Sequence, residues 1–179
     1  VGPGATPWGL RSTIVPEEGQ GSQGEGVKPH EMTGIEKISK AMGAGTGTGS
    51  KALAAVGKSD TVVVTGLGVT GLMHCQLANA RGAKRVIGVS RNSHKREVAR
   101  ALGVDVVVSH GEDAKGAVLD ITEGLGADVV IECVGAMPVL AEAMDLARLG
   151  GRIIPFAIYP SGQAELPFYD LYFKELQGL

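Results

Sequence analysis

The sequence predicts an α/β fold carried on a doubly wound parallel sheet spanning residues 51–179, and three observations predict it. Short β-branched runs alternate with helical stretches from Lys51 to the end, the order of a β-α repeat. The runs Thr61–Thr65, Arg85–Val89, Asp105–Val108, Asp128–Ile131 and Arg152–Phe156 are apolar without alternation, as strands covered on both faces must be. Gly82, Gly103, Gly126 and Gly150 each follow a helical stretch, where a residue tolerant of positive φ ends a helix.

Taken in order, residues 1–50 are rich in Gly, Pro, Ser and Glu, and Gly43–Ser50 has the composition of a flexible linker. Within them Met32, Ile35, Ile38 and Met42 fall near helical spacing, which predicts a short amphipathic helix over His30–Met42. A second short helical piece covers Lys51–Val56 and leads into the first strand. The next helix puts Val69, Leu72, Met73, Leu77 and Ala80 on one stripe, and a later one puts Val139, Leu140, Ala143, Met144 and Ala147 on another.

Composition narrows the function classes. With 179 residues, 44% of them hydrophobic, the chain holds one ordinary domain with a sizeable core. The formal charge is -2 and the two signs are interspersed, so neither nucleic acid nor an anionic membrane is the expected partner. A small molecule is. No apolar run has the length of a membrane span and no signal-peptide layout is visible, which predicts a soluble, cytoplasmic protein. Cys75 and Cys133 are too few and too far apart for a disulfide framework or a four-cysteine zinc site, and read as reduced interior thiols. His30, His74, His94 and His110 are scattered, with none at metal-ligand spacing from a cysteine, so the predicted metal set is none.

Gly66-Leu67-Gly68-Val69-Thr70-Gly71 lies between the first strand and the first long helix. A glycine pattern of this kind means little in a chain with 28 glycines unless strand and helix flank it, and here they do. Gly66 permits the tight turn, Gly68 lets the backbone approach a pyrophosphate, and Gly71 lets the helix pack on the sheet. The amides opening the helix near Val69 and Thr70 then face the phosphates. These features predict a Rossmann-type fold that holds a nicotinamide dinucleotide. The alternative is a glycine turn that only connects two elements.

At the end of the second strand, where an acidic residue would hold an adenosine ribose, stands Ser90, followed by Arg91, Asn92, Ser93, His94, Lys95 and Arg96. A hydroxyl and several cations suit the extra phosphate of NADP, with NAD the second choice. Lys95 and Arg96 read equally well as solvated residues opening a helix. The turn Glu132–Gly135, with Val134 and Gly135, and the loop Phe156–Ile158, with Phe156 and Ala157, are expected along the same carboxyl edge, bordering the cofactor. Core packing is the competing reading for Val134 and Phe156.

With those residues in hand, the chain from about Ala52 onward resembles the cofactor domain of the medium-chain dehydrogenase/reductase superfamily, zinc-containing alcohol dehydrogenase type. The resemblance is carried by Val62-Val-Val-Thr-Gly-Leu-Gly-Val-Thr-Gly71, Arg81-Gly-Ala-Lys-Arg-Val-Ile-Gly-Val89, Ala99-Arg-Ala-Leu-Gly103, Gly126-Ala-Asp-Val-Val-Ile-Glu-Cys-Val-Gly135 and Leu149-Gly-Gly-Arg-Ile-Ile154. It implies pyrophosphate contacts at Gly66, Gly68, Val69, Thr70 and Gly71, and adenosine-ribose or 2′-phosphate contacts at Ser90, Arg91 and Lys95. It also implies a hydride-transferring alcohol or polyol dehydrogenase whose catalytic zinc sits in a separate domain, on a Cys and a Gly-His-Glu segment that this sequence lacks. Glu175–Leu179 looks like the opening of the family's sixth strand, so the sheet is expected to be incomplete after the fifth or sixth strand and the chain to be a piece of a longer one. The open edge of the last strand predicts possible homodimerisation.

Two other readings remain open. A stand-alone dinucleotide-binding or redox-sensing module, without catalysis of its own, fits the residues equally. A methyltransferase also uses a glycine-rich first turn, though Ser90 replaces the acid expected there. Short-chain dehydrogenase chemistry is disfavoured because Tyr169 and Lys174 lack the required spacing.

Overall fold

Valine dominates the predicted strands, and its branched side chain packs on a pleated surface better than it fits a helix. The computed structural model describes residues 52, 54–160 and 165–178. In chain order it contains β1 (Thr61–Thr65), α1 (Val69–Ala80), β2 (Arg85–Val89), α2 (Ser93–Ala101), β3 (Val106–Val108) and α3 (Glu112–Ile121). There follow β4 (Ala127–Glu132), α4 (Met137–Leu146), β5 (Ala147–Pro155), α5 (Phe168–Phe173) and β6 (Gln177–Gly178). Ala52 and Ala54 have helical backbone ahead of β1. The helix expected over His30–Met42 lies outside the described residues.

The sheet runs β3-β2-β1-β4-β5-β6, and every pair is parallel. This is the doubly wound arrangement expected. Alternation along β1 sends Val62 and Val64 to one face, where they pack with Leu67, Cys75, Ala78, Ile131 and Ile154. Val63 goes to the other face, with Ile87, Val130, Ala143, Met144 and Leu146. Both faces are therefore covered, which is why the strands read as unbroken apolar runs. Winding reverses between β1 and β4, so a crevice opens beyond their carboxyl ends.

Carboxylates fix the opposite edge. Asp128 accepts hydrogen bonds from the Thr61 amide at 2.8 Å and from Arg148 Nε at 2.6 Å, and Asp105 accepts from the Val86 amide at 2.8 Å. Arg152 bridges to Asp60 at 2.7 Å. Burial opposes the charge on Asp128, but the Thr61 amide and the Arg148 and Arg152 guanidinium groups outweigh it and hold the carboxyl below its ordinary range.

Several expectations need correction. The buried face of α1 is Gly71, His74, Cys75, Leu77 and Ala78. Of the expected stripe Leu77 is buried and Leu72 partly so, whereas Val69 is 73% exposed and Ala80 also faces solvent. Ala147 belongs to β5 rather than to the stripe of α4, and Gly150 lies inside β5, where the register shifts between Ala127 and Val129. Its positive φ serves a bulge, not a helix end. Gly82 and Gly103 do follow α1 and α2, both with positive φ. Cys75 is buried, while Cys133 is only half-buried; both are free thiols. Among the described residues no helix is long and apolar enough to cross a membrane.

Candidate functional site

The turn from β1 to α1 stands at the mouth of the crevice. Gly66 takes φ +89°, and its amide donates to the Val89 carbonyl at 2.8 Å, tying the end of β1 to the end of β2. A Cβ at Gly66 would lie 2.6 Å from Val134 Cγ2, and one at Gly71 would lie 1.9 Å from the Gly66 carbonyl oxygen. Only glycine fits at either. At Gly68 an added Cβ would meet no atom of the described residues within 4 Å, so they leave the space above the turn open.

Gly68 is the N-cap of α1, no side chain caps that end, and the first turn carries no acidic residue. The first amides of a helix have no intrahelical acceptor, so those at Val69 and Thr70 point outward with the positive end of the helix dipole. The open space over Gly68 and these donors together fit a diphosphate.

Ser90 follows β2. Its amide donates to the Val108 carbonyl at 3.1 Å and its hydroxyl accepts from the Asn92 amide at 3.3 Å. Asn92 caps α2, accepting from the Lys95 amide at 3.0 Å. Arg96 donates to the carbonyls of Ser90 at 2.7 Å and Arg91 at 2.9 Å, so its charge shapes the turn. Arg91 and Lys95 are exposed, and among the described residues neither forms an ion pair.

The loops after β4 and β5 meet closely. A Cβ at Gly135, which has φ +81°, would lie 2.5 Å from the Ile158 carbonyl oxygen and 3.2 Å from Ala157 Cβ. Val134 is 46% exposed and touches the glycine turn, so core packing does not describe it. Phe156 is half-buried and packs edge-on against His74 with centroids 4.3 Å apart. The structure thus brings Gly66, Val134, Gly135 and Ala157 into one neighbourhood.

The sequence placed Glu132 only in a turn bordering the cofactor and His74 only among scattered histidines, and gave no role to Tyr159. Glu132 is fully buried and accepts from the amides of Val134 at 2.6 Å and Gly135 at 3.1 Å and from the Tyr159 hydroxyl. An acid closing an apolar strand run was the available signal. His74 is also buried, and its Nδ1–H donates to the Thr70 carbonyl at 2.9 Å, leaving Nε2 without a partner. Burial holds its pKa below the ordinary value, an effect the Thr70 carbonyl partly offsets. Burial pushes the Cys75 thiol up to about 12 and raises that of Cys133 further, so neither is a ready thiolate. Among the described residues no group of three or more His, Cys, Asp or Glu side chains is placed to hold a metal ion.

Residues 68–178 match the family model described as zinc-binding dehydrogenase. A sorbitol dehydrogenase from Halalkalibacterium halodurans is 32% identical over 151 residues, covering 82% of this chain and 44% of that protein. An L-threonine 3-dehydrogenase from Pyrococcus abyssi is 30% identical over 159 residues, covering 88% of this chain and 43% of that protein. The chain spans less than half the length of these curated relatives. Among solved structures, 2R,3R-butanediol dehydrogenase from Bacillus subtilis superposes with a TM-score of 0.69 at 25% identity, covering 84% of this chain and 43% of that one. A zinc-binding dehydrogenase from Sinorhizobium meliloti 1021, bound to NADP, gives 0.63 at 29% identity, covering 73% and 43%.

Proposed function

The chain belongs to the zinc-binding dehydrogenase family, and from that premise we propose that it holds the nicotinamide dinucleotide of an oxidoreductase that moves a hydride between nicotinamide and an alcohol or carbonyl carbon. The uncapped, acid-free start of α1 over the open space at Gly68 carries the reading. When bound, the nicotinamide ring supplies the hydride acceptor or donor. The chain's own residues bind and orient. The amides at Val69 and Thr70 hold the diphosphate, Gly68 admits it, and Val134, Gly135, Phe156 and Ala157 border the nicotinamide half. The described residues do not fit a zinc ion, so zinc belongs to the reading only through a part of the protein outside them.

NADP is the proposed cofactor, with NAD second. At the end of β2 no carboxylate is present to repel a 2′-phosphate, and the Ser90 hydroxyl, Arg91 and Lys95 are available to receive it. Calorimetric titration tests this: Arg91→Ala is expected to weaken NADP binding about tenfold, the scale of one charge-assisted hydrogen bond, and to leave NAD binding unchanged. Tighter binding of NAD by the unaltered chain overturns the preference. The exposed edge of β6 supports a homodimer, which light scattering on the chain checks as twice the monomer mass.

A further inference from the structure

A buried carboxylate is costly unless donors surround it, and removing any one of those donors exposes the cost. Glu132 pays out that requirement in an unusual direction: its donors come from two separate loops. Its side chain accepts from the Val134 and Gly135 amides, in the loop after β4, and from the Tyr159 hydroxyl, in the segment after β5. Its own carbonyl accepts from the amides of Phe156 at 2.9 Å and Ala157 at 3.2 Å, in that same second segment. An apolar residue here would extend the core but could not tie the loops together. The contact they make is already too close for any residue but glycine at 135.

We propose that buried Glu132 and half-buried Tyr159 form a clamp that fixes the loops after β4 and β5 against each other, as positioning residues for the nicotinamide half of the dinucleotide; this rests on the dinucleotide reading above. Both loops follow β-strands at the carboxyl edge beside the reversal of winding, and the residues the clamp holds include Val134, which lies against the glycine turn at Gly66, and Gly135, which lies against Ala157. The adenosine end would lie elsewhere, at the turn after β2 that carries Ser90, Arg91 and Lys95 and that Asn92 and Arg96 hold in shape. The clamp therefore acts on one end of the ligand only. Burial, and then the hydrogen bond to Glu132, raise the Tyr159 phenol above its ordinary range.

The test uses the 179-residue chain with two probes, NADPH and 2′,5′-ADP, the second carrying the adenosine half alone. Tyr159→Phe removes one hydroxyl and keeps the ring. It is expected to weaken NADPH binding about tenfold, to leave 2′,5′-ADP binding unchanged, and to reduce the fluorescence enhancement of bound reduced nicotinamide. Glu132→Gln keeps an oxygen for the Val134 and Gly135 amides and is expected to retain more NADPH affinity than Glu132→Ala. Equal losses for both probes would mean a general structural role and overturn the clamp, as would unchanged NADPH binding in Tyr159→Phe. If the unaltered chain binds 2′,5′-ADP but not NADPH, the clamp fails while an adenosine site survives; if it binds neither, the dinucleotide reading itself fails.

Discussion

A methyl group added at Gly71 would stand 1.9 Å from the carbonyl oxygen of Gly66, whereas one added at Gly68 would touch nothing within 4 Å. The first clash is with backbone that the neighbouring strands hold, so it cannot relax by a side-chain rotation. Gly71→Ala is expected to lower stability by about 2 kcal/mol or more, measured by denaturant unfolding, while Gly68→Ala leaves the unfolding midpoint unchanged. His74 carries a second prediction. Its folded-state pKa is depressed by burial, so below about 6.5 the unfolded chain takes up a proton that the native state resists. Stability is therefore full above that pH and is lost as pH falls through it. His74→Leu is expected to flatten the change in melting temperature between pH 7.5 and 5.5, and an unchanged slope would contradict the buried, neutral ring.

The elements themselves were legible in sequence where local patterns decide them. The five apolar runs became β1 to β5 because continuous Val and Ile serve a sheet covered twice; β3 begins after Asp105, whose carboxylate ties the edge instead of joining the strand, and β5 begins five residues before Arg152, at Ala147. The buried face of α1 was only partly legible. A stripe ranked by hydrophobicity selects Leu77, which is buried, and Leu72, which is partly so, but also Val69, which is exposed, and it omits Gly71, His74, Cys75 and Ala78. Gly150 misled for a related reason, since a bulge and a helix end both demand positive φ. At α2 the cap is Asn92, whose side chain accepts from the Lys95 amide; Asn92→Ala is expected to cost about 1 kcal/mol in thermal unfolding.

Over the whole molecule, strand order places the glycine turn, the Ser90 turn and the Glu132 turn along one edge although they are far apart in sequence. That convergence was predictable from the β-α repeat, because parallel strands all end on the same side. Partnerships across it were not. Nothing local marks Tyr159 as the donor to Glu132, or Arg96 as the support of the Ser90 and Arg91 carbonyls, since each depends on how distant loops fold back. If the open start of α1 receives a diphosphate, calorimetry of NADPH with the unaltered chain and with Gly68→Ala should reveal it. Saturable one-to-one binding is expected, falling by about tenfold or more in the alanine variant, whose added methyl occupies the ligand's space without disturbing the fold. Binding that is absent in the unaltered chain, or equal in the two, would contradict it.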